Sequence, residues 1–142
     1  MAGINYGRVV LGGLAAGVVV NVCDTVIAMF LMTNDLQRMA RRLNLNWEVV
    51  NSPSVAITWA VVDFLYAFLI VWTYAAMRPR LGPGPKTAVI AGLVPYTAMV
   101  LVLAGFQSMG IFALDSFVKN AALSLGTVVL ASLAGGAVYK ES

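Results

Sequence analysis

The sequence predicts an all-α membrane protein: four transmembrane helices in an antiparallel bundle, with an interfacial amphipathic helix between spans one and two. Two observations carry this. Of 142 residues, 61% are hydrophobic and only 11% charged, against about 25% charged in soluble domains. The charges collect between four apolar runs, 9–32, 55–77, 87–106 and 117–138, each reaching the ~20 residues that a spanning helix needs. Residues 1–142 read as a single transmembrane domain.

The first run follows Arg8, as a signal peptide would, but secretory apolar segments stop at about 7 to 15 residues, so it reads as a span. Its only cysteine, Cys23, excludes an intramolecular disulfide. Histidine is absent, which removes the usual zinc ligand, haem ligand and general base. The net charge of +3 would suggest nucleic acid in a soluble chain. Here the basic residues flank apolar spans, so they read as anchors, and no nucleic-acid partner is expected.

Between spans one and two, Leu36, Met39, Ala40, Leu43 and Trp47 recur at helical spacing opposite Gln37, Arg38, Arg41, Arg42 and Asn44. That pattern predicts a helix lying in the membrane interface, with Arg38, Arg41, Arg42 and Trp47 as anchors to lipid headgroups. The link between spans two and three, 78–86, carries Arg78, Arg80 and Lys86 among alternating Pro and Gly. Pro79 disfavours helix at Arg78, so a short basic hairpin is expected up to Thr87. Its Gly84-Pro85-Lys86-Thr87 ending is a poor phosphate loop, because Pro83 and Pro85 have no N–H to offer a phosphate.

The opening Ile4-Asn5-Tyr6-Gly7-Arg8-Val9-Val10-Leu11-Gly12-Gly13-Leu14 and the stretch from Tyr74 to Ala88, YAAMRPRLGPGPKTA, resemble a family of uncharacterised small bacterial membrane proteins, with a weaker echo in 134–140. The resemblance implies a bacterial inner-membrane protein of four helices. It carries over no functional residue.

With the N-terminus in the cytoplasm, the inner side holds Arg8, Arg78, Arg80, Lys86 and Lys140, and the outer side Arg38, Arg41, Arg42 and Lys119. The excess of Lys and Arg on short loops favours both termini inside.

Inside the membrane, Gly13, Gly17, Asn21, Asp24 and Ala28 share one face of span one, and Ala56, Ala60, Asp63 and Ala67 share one face of span two. Small residues let helices approach and polar ones on the same stripe face protein, so the two stripes predict a shared interface. Asp24 lies sixteen positions from Arg8 and Asp63 fifteen from Arg78, which places each ~22 to 24 Å from the inner end at 1.5 Å per residue. Equal depth is therefore expected, with the pair either satisfied by neighbours or serving a proton or cation. Asn120, Ser124 and Thr127 form a supporting polar face on span four. Lys119 has Asp115, four residues earlier, as its simplest partner. In span three, Pro95 predicts a kink and Tyr96 a hydroxyl inside the bundle. No metal site and no cofactor are expected; the methionines are too scattered for a ligand set.

Three function classes compete. The leading one is an accessory or structural subunit of a larger bacterial membrane complex, respiratory or photosynthetic, that packs through small-residue faces and contacts lipids or pigments. The alternative is a small homodimeric proton- or cation-coupled transporter using Asp24 and Asp63. An enzyme has least support, since neither the Tyr-Asp nor the Gly-x-Gly-Asp pattern of an aspartyl intramembrane protease is present.

Overall fold

The computed structural model describes residues 4–140. Six α-helices run α1 Tyr6–Val26, α2 Thr33–Arg42, α3 Trp47–Val50, α4 Pro53–Leu81, α5 Pro85–Ser108 and α6 Leu114–Val138, with no strand among the described residues. A π-helical turn, Ile27–Leu31, extends α1. The four helices long and apolar enough to cross a membrane are Tyr6–Leu31, Pro53–Leu81, Pro85–Ser108 and Leu114–Val138. They form an antiparallel ring in which α1 packs on α4, α4 on α5, α5 on α6, and α6 back on α1.

The side-chain distribution is that of a bundle in lipid. Leu11, Leu14, Leu65, Leu69, Leu101 and Leu130 point outward, while Ala16, Ala67, Ala91 and Ala131 are fully buried. Lipid tails satisfy large apolar groups as well as protein does, so the interior selects for close backbone approach instead. Gly12 and Gly135 meet across α1 and α6: a Cβ on Gly12 would stand 2.9 Å from the Gly135 carbonyl oxygen. Gly13 and Gly17 leave room on α1 for the rings of Phe68 and Phe64, whose Cδ1 atoms would lie 2.0 and 2.2 Å from an added Cβ. Gly92 on α5 makes the same room for the Ser132 hydroxyl on α6.

These contacts correct the expected register. Gly13 faces Phe68, Gly17 faces Phe64, and the Asn21 amide reaches the Ala60 carbonyl at 3.4 Å. By that register residue 63 falls opposite residue 18, so the Asp24 backbone stands six positions, ~9 Å, further along. The two aspartates are not at one level. The reason is that Arg8 and Arg78 are not level: by the same register residue 73 falls opposite Arg8, and α4 runs on through Arg78-Pro79-Arg80 to Leu81, so Pro79 does not end the helix. A proline in the last turn removes only the bond to the Ala75 carbonyl, and the helix stops where Gly82 turns to φ +80°. Arg78 is therefore not an inner helix end, and the link shrinks to Gly82–Gly84, with Pro85 opening α5. Ala56 and Ala28, expected on the shared stripes, are exposed; the α4 side of the interface is built from phenylalanine rings.

The interfacial helix is also shorter than its pattern. Arg42 ends α2, Asn44 takes φ +53°, and Trp47 begins the separate short helix α3.

Burial divides the bundle in two. Every buried span residue lies in 9–20, 67–75, 87–95 or 127–135, the half that carries both termini. No residue of 21–31, 53–66, 96–108 or 114–126 is buried. The half toward α2 is loosely packed, and its inward residues are only half-buried.

The terminal end is pinned by tyrosines. Tyr139 and Tyr74, both buried, meet edge to face at 5.8 Å, and Arg78 lies 5.6 Å from the centre of the Tyr139 ring. The Asn5 N–H donates to Tyr139 Oη at 3.3 Å, and the Gly84 N–H to Tyr74 Oη at 3.2 Å.

Candidate functional site

A polar layer lies where the packed half meets the open one, and all four spans contribute. From α1, Asn21 donates to its own Gly17 carbonyl at 3.0 Å as well as to Ala60. One turn on, Asp24 accepts from the buried Thr127 hydroxyl of α6 at 3.3 Å. From α5, Tyr96 donates to the Ala121 carbonyl of α6 at 2.8 Å, beside Pro95, which leaves α5 one backbone bond short. From α4 come Asp63 and Tyr66, both within electrostatic reach of Asp24; Tyr66 is also within reach of Tyr96.

Two groups in this layer are unsatisfied. The Tyr66 hydroxyl oxygen is shielded from solvent and has no hydrogen-bond partner. Asp63, half-buried, makes no hydrogen bond among the described residues. A carboxylate at membrane depth without donors is costly unless it holds a proton, a cation or a partner group. The layer is thus able to bind a proton or a small cation, or to receive a donor from outside the chain. Thr127 of the predicted polar face joins it; Asn120 and Ser124, half-buried in the loose half, make no side-chain hydrogen bond among the described residues. No group of three or more metal-ligating side chains occurs among the described residues.

A second polar centre, absent from the sequence reading, ties α2 to the start of α6. The Asp35 side chain is only 7% exposed. It accepts from Ser116 Oγ at 2.7 Å, from Lys119 Nζ at 3.0 Å and from the Arg38 guanidinium. Arg38 also donates to Asp115 at 2.9 Å and to Ser116 at 3.1 Å. Lys119 reaches the Leu31 carbonyl, and Arg42 the Gly110 carbonyl at 2.9 Å. The expected Asp115–Lys119 pair is therefore replaced by Asp115–Arg38 and Asp35–Lys119, because α2 folds over the end of α6 and brings a better-shielded carboxylate to the lysine. The Ser116 hydroxyl, then Lys119 and Arg38, hold the Asp35 carboxyl well below the usual carboxylate range, and Asp35 with Asp115 raises the Arg38 guanidinium.

The predicted anchors separate accordingly. Arg38 and Arg42 are bonded to protein. Arg41 and Trp47 line a cleft between α2 and α3. Arg78 packs on Tyr139, while Arg80 and Lys86 are exposed at the terminal end. Asp35 carried one usable sign, Arg38 at i+3; Tyr66, one turn from Asp63, carried another. No protein-family model, curated protein or solved structure matches the sequence, so the chemistry is argued from this chain alone.

Proposed function

We propose that the chain is an accessory subunit of a larger bacterial inner-membrane assembly, and that partner helices complete its loose half. The observation that carries this reading is the level at which burial stops in all four spans. Beyond it stand Asp63, Asn120 and Ser124 without side-chain hydrogen-bonding partners among the described residues, and Gly105 and Gly126 with open space around the position of a Cβ. Lipid tails cannot satisfy polar groups, whereas a neighbouring helix approaches closely at glycine and supplies donors. Lipids, and pigments where the assembly holds them, fill what the partner leaves. The packed half is closed by the Gly12–Gly135 and Gly17–Phe64 contacts, which supports a structural rather than a catalytic role. Arg8, Arg78, Arg80, Lys86 and Lys140 at one end support placing both termini in the cytoplasm.

The test is a photoreactive residue at Gly126 or Gly105 in cells, with Ala76, exposed in the packed half, as the control. Adducts to one membrane protein from the first two positions and not from Ala76 are expected. Release of the native protein as a lone small particle, with adducts from neither glycine, refutes the reading.

A second reading is favoured by the bare Asp63 within electrostatic reach of Asp24: a homodimeric proton- or cation-coupled transporter. It requires proton-linked flux in proteoliposomes that Asp24→Asn and Asp63→Asn each abolish. Flux that survives both substitutions removes it.

A further inference from the structure

We propose that the cleft between α2 and α3 binds the phosphodiester headgroup of an anionic phospholipid, with Arg41 as its ligand. The cleft measures about 260 Å³ and is lined by Gln37, Ala40, Arg41, Leu45 and Trp47. It lies in the segment joining a span that ends at Leu31 to one that begins at Pro53, so it sits at the membrane boundary, where headgroups are.

Hydrogen-bond accounting for the basic side chains at this end singles out Arg41. Arg38 is held by Asp35 and Asp115, Lys119 by Asp35 and the Leu31 carbonyl, and Arg42 by the Gly110 carbonyl. The Arg41 guanidinium makes no hydrogen bond or ion pair among the described residues, and it is exposed. Its planar fork of donors fits two phosphate oxygens at once. Gln37, one turn earlier on the same face, adds an amide. Trp47 brings a ring with one wet edge, the side chain that collects at headgroup depth, and Leu45 offers apolar surface to the start of an acyl chain.

The cleft is built rather than incidental. Asn44 adopts φ +53°, a conformation its short polar side chain tolerates. The turn is closed by Leu45 N–H donating to the Ala40 carbonyl at 2.8 Å, which folds Leu45 and Trp47 back against α2. Ala40 forms its floor and is buried. Glu48, the carboxylate of α3, is not among the lining residues. A neutral headgroup gains nothing from Arg41 that an anionic one does not exceed, and a soluble phosphate gains nothing from Leu45. The inference depends on the span boundaries and not on the subunit reading.

The experiment uses the full chain with Trp59→Phe and Trp72→Phe, leaving Trp47 as the fluorophore, in phosphatidylcholine bilayers with increasing brominated phosphatidylglycerol. Trp47 is expected to be quenched at a mole fraction well below that for random mixing. Arg41→Gln should raise the half-quenching mole fraction about fivefold, from the ~1 kcal/mol that each basic residue near an anionic surface contributes. Arg41→Lys should recover part of this, and Arg80→Gln at the other end should change nothing. Equal quenching by brominated phosphatidylcholine overturns the proposal, as does an Arg41→Gln curve superimposed on the parent. Relief of quenching by millimolar glycerophosphate assigns the site to a free phosphate and also overturns it.

Discussion

Asp35→Asn tests the junction between α2 and α6 most directly. The aspartate receives three side-chain donors, from Ser116, Lys119 and Arg38. Hydrogen bonds to a charged group contribute about 1.5 to 3 kcal/mol each when shielded. Lys119, however, is 46% exposed, at the end of the bundle where solvent stands close behind it, so its share falls to about 0.5 kcal/mol; Arg38 is more exposed still and is left out of the sum. With about 1.5 kcal/mol from Ser116, the junction contributes about 2 kcal/mol, equivalent to roughly a 30-fold shift in the docking equilibrium of α2. The assay is thiol labelling of Ala40→Cys in a Cys23→Ser background, since Ala40 is 2% exposed and becomes reactive when α2 lifts. Asp35→Asn should accelerate labelling at neutral pH by up to that factor, since the amide oxygen still accepts one of the hydrogen bonds. The folded-state carboxyl is depressed, so its contribution is complete above the unfolded value near 4 and is lost as pH falls through the folded value. Normalised for thiolate fraction, labelling of the parent should therefore be level from pH 8 to about 5 and rise below about 4, while the Asp35→Asn chain keeps only the part carried by the exposed Asp115–Arg38 pair. A labelling rate within twofold of the parent at pH 7 would refute the reasoning.

Three further outcomes follow from the packing. Gly92→Ala places a Cβ 1.9 Å from Ser132 Oγ, and overpacking of this kind costs about 1 to 3 kcal/mol; Ser132→Ala, which gives up only a bond to its own helix, should recover most of it in a double-mutant cycle of unfolding in detergent. Tyr96→Phe should lower stability by about 1 kcal/mol through loss of the bond to Ala121, whereas Tyr66→Phe, removing a shielded hydroxyl without a partner, should leave stability equal or higher; thermal midpoints of the two variants, measured side by side, decide it. Gly82→Ala imposes a Cβ at φ +80° and should lower stability by about 1 kcal/mol, read from the same thermal scans.

The spans were legible in the sequence because their length and apolarity are local properties. Their ends were not. Pro79 looks like a stop, yet a single missing N–H in a final turn is tolerated, and Arg8 and Arg78 look like matched helix ends although Arg78 stands five positions past the level of Arg8, which carries Asp63 out of line with Asp24. The glycine stripe on α1 was visible, but its fillers were not. Phe64 and Phe68 are ordinary lipid-facing residues by composition, and only the antiparallel register aims them at Gly17 and Gly13. Asp35 escaped for a different reason: its Ser116 and Lys119 partners lie 81 and 84 residues away in the chain. The level at which burial stops left only an indirect trace in the sequence: the apolar runs cross it unbroken, although Asp24, Asp63 and Asn120 all fall on its loose side.

The Tyr139–Asn5 bond joins positions 134 apart in the chain, and the Gly12–Gly135 contact is nearly as long-range. During synthesis the first span enters the bilayer long before the last one exists. Its Gly12 and Ala16 face must wait, uncovered, through the insertion of three more helices. The face toward Phe64 and Phe68 is satisfied as soon as α4 arrives, so the first hairpin is able to form an intermediate that holds α1 in place. The ring cannot close until α6 is present, and Tyr139 lies at that seam, away from the Gly13–Phe68 and Gly17–Phe64 contacts of the first hairpin.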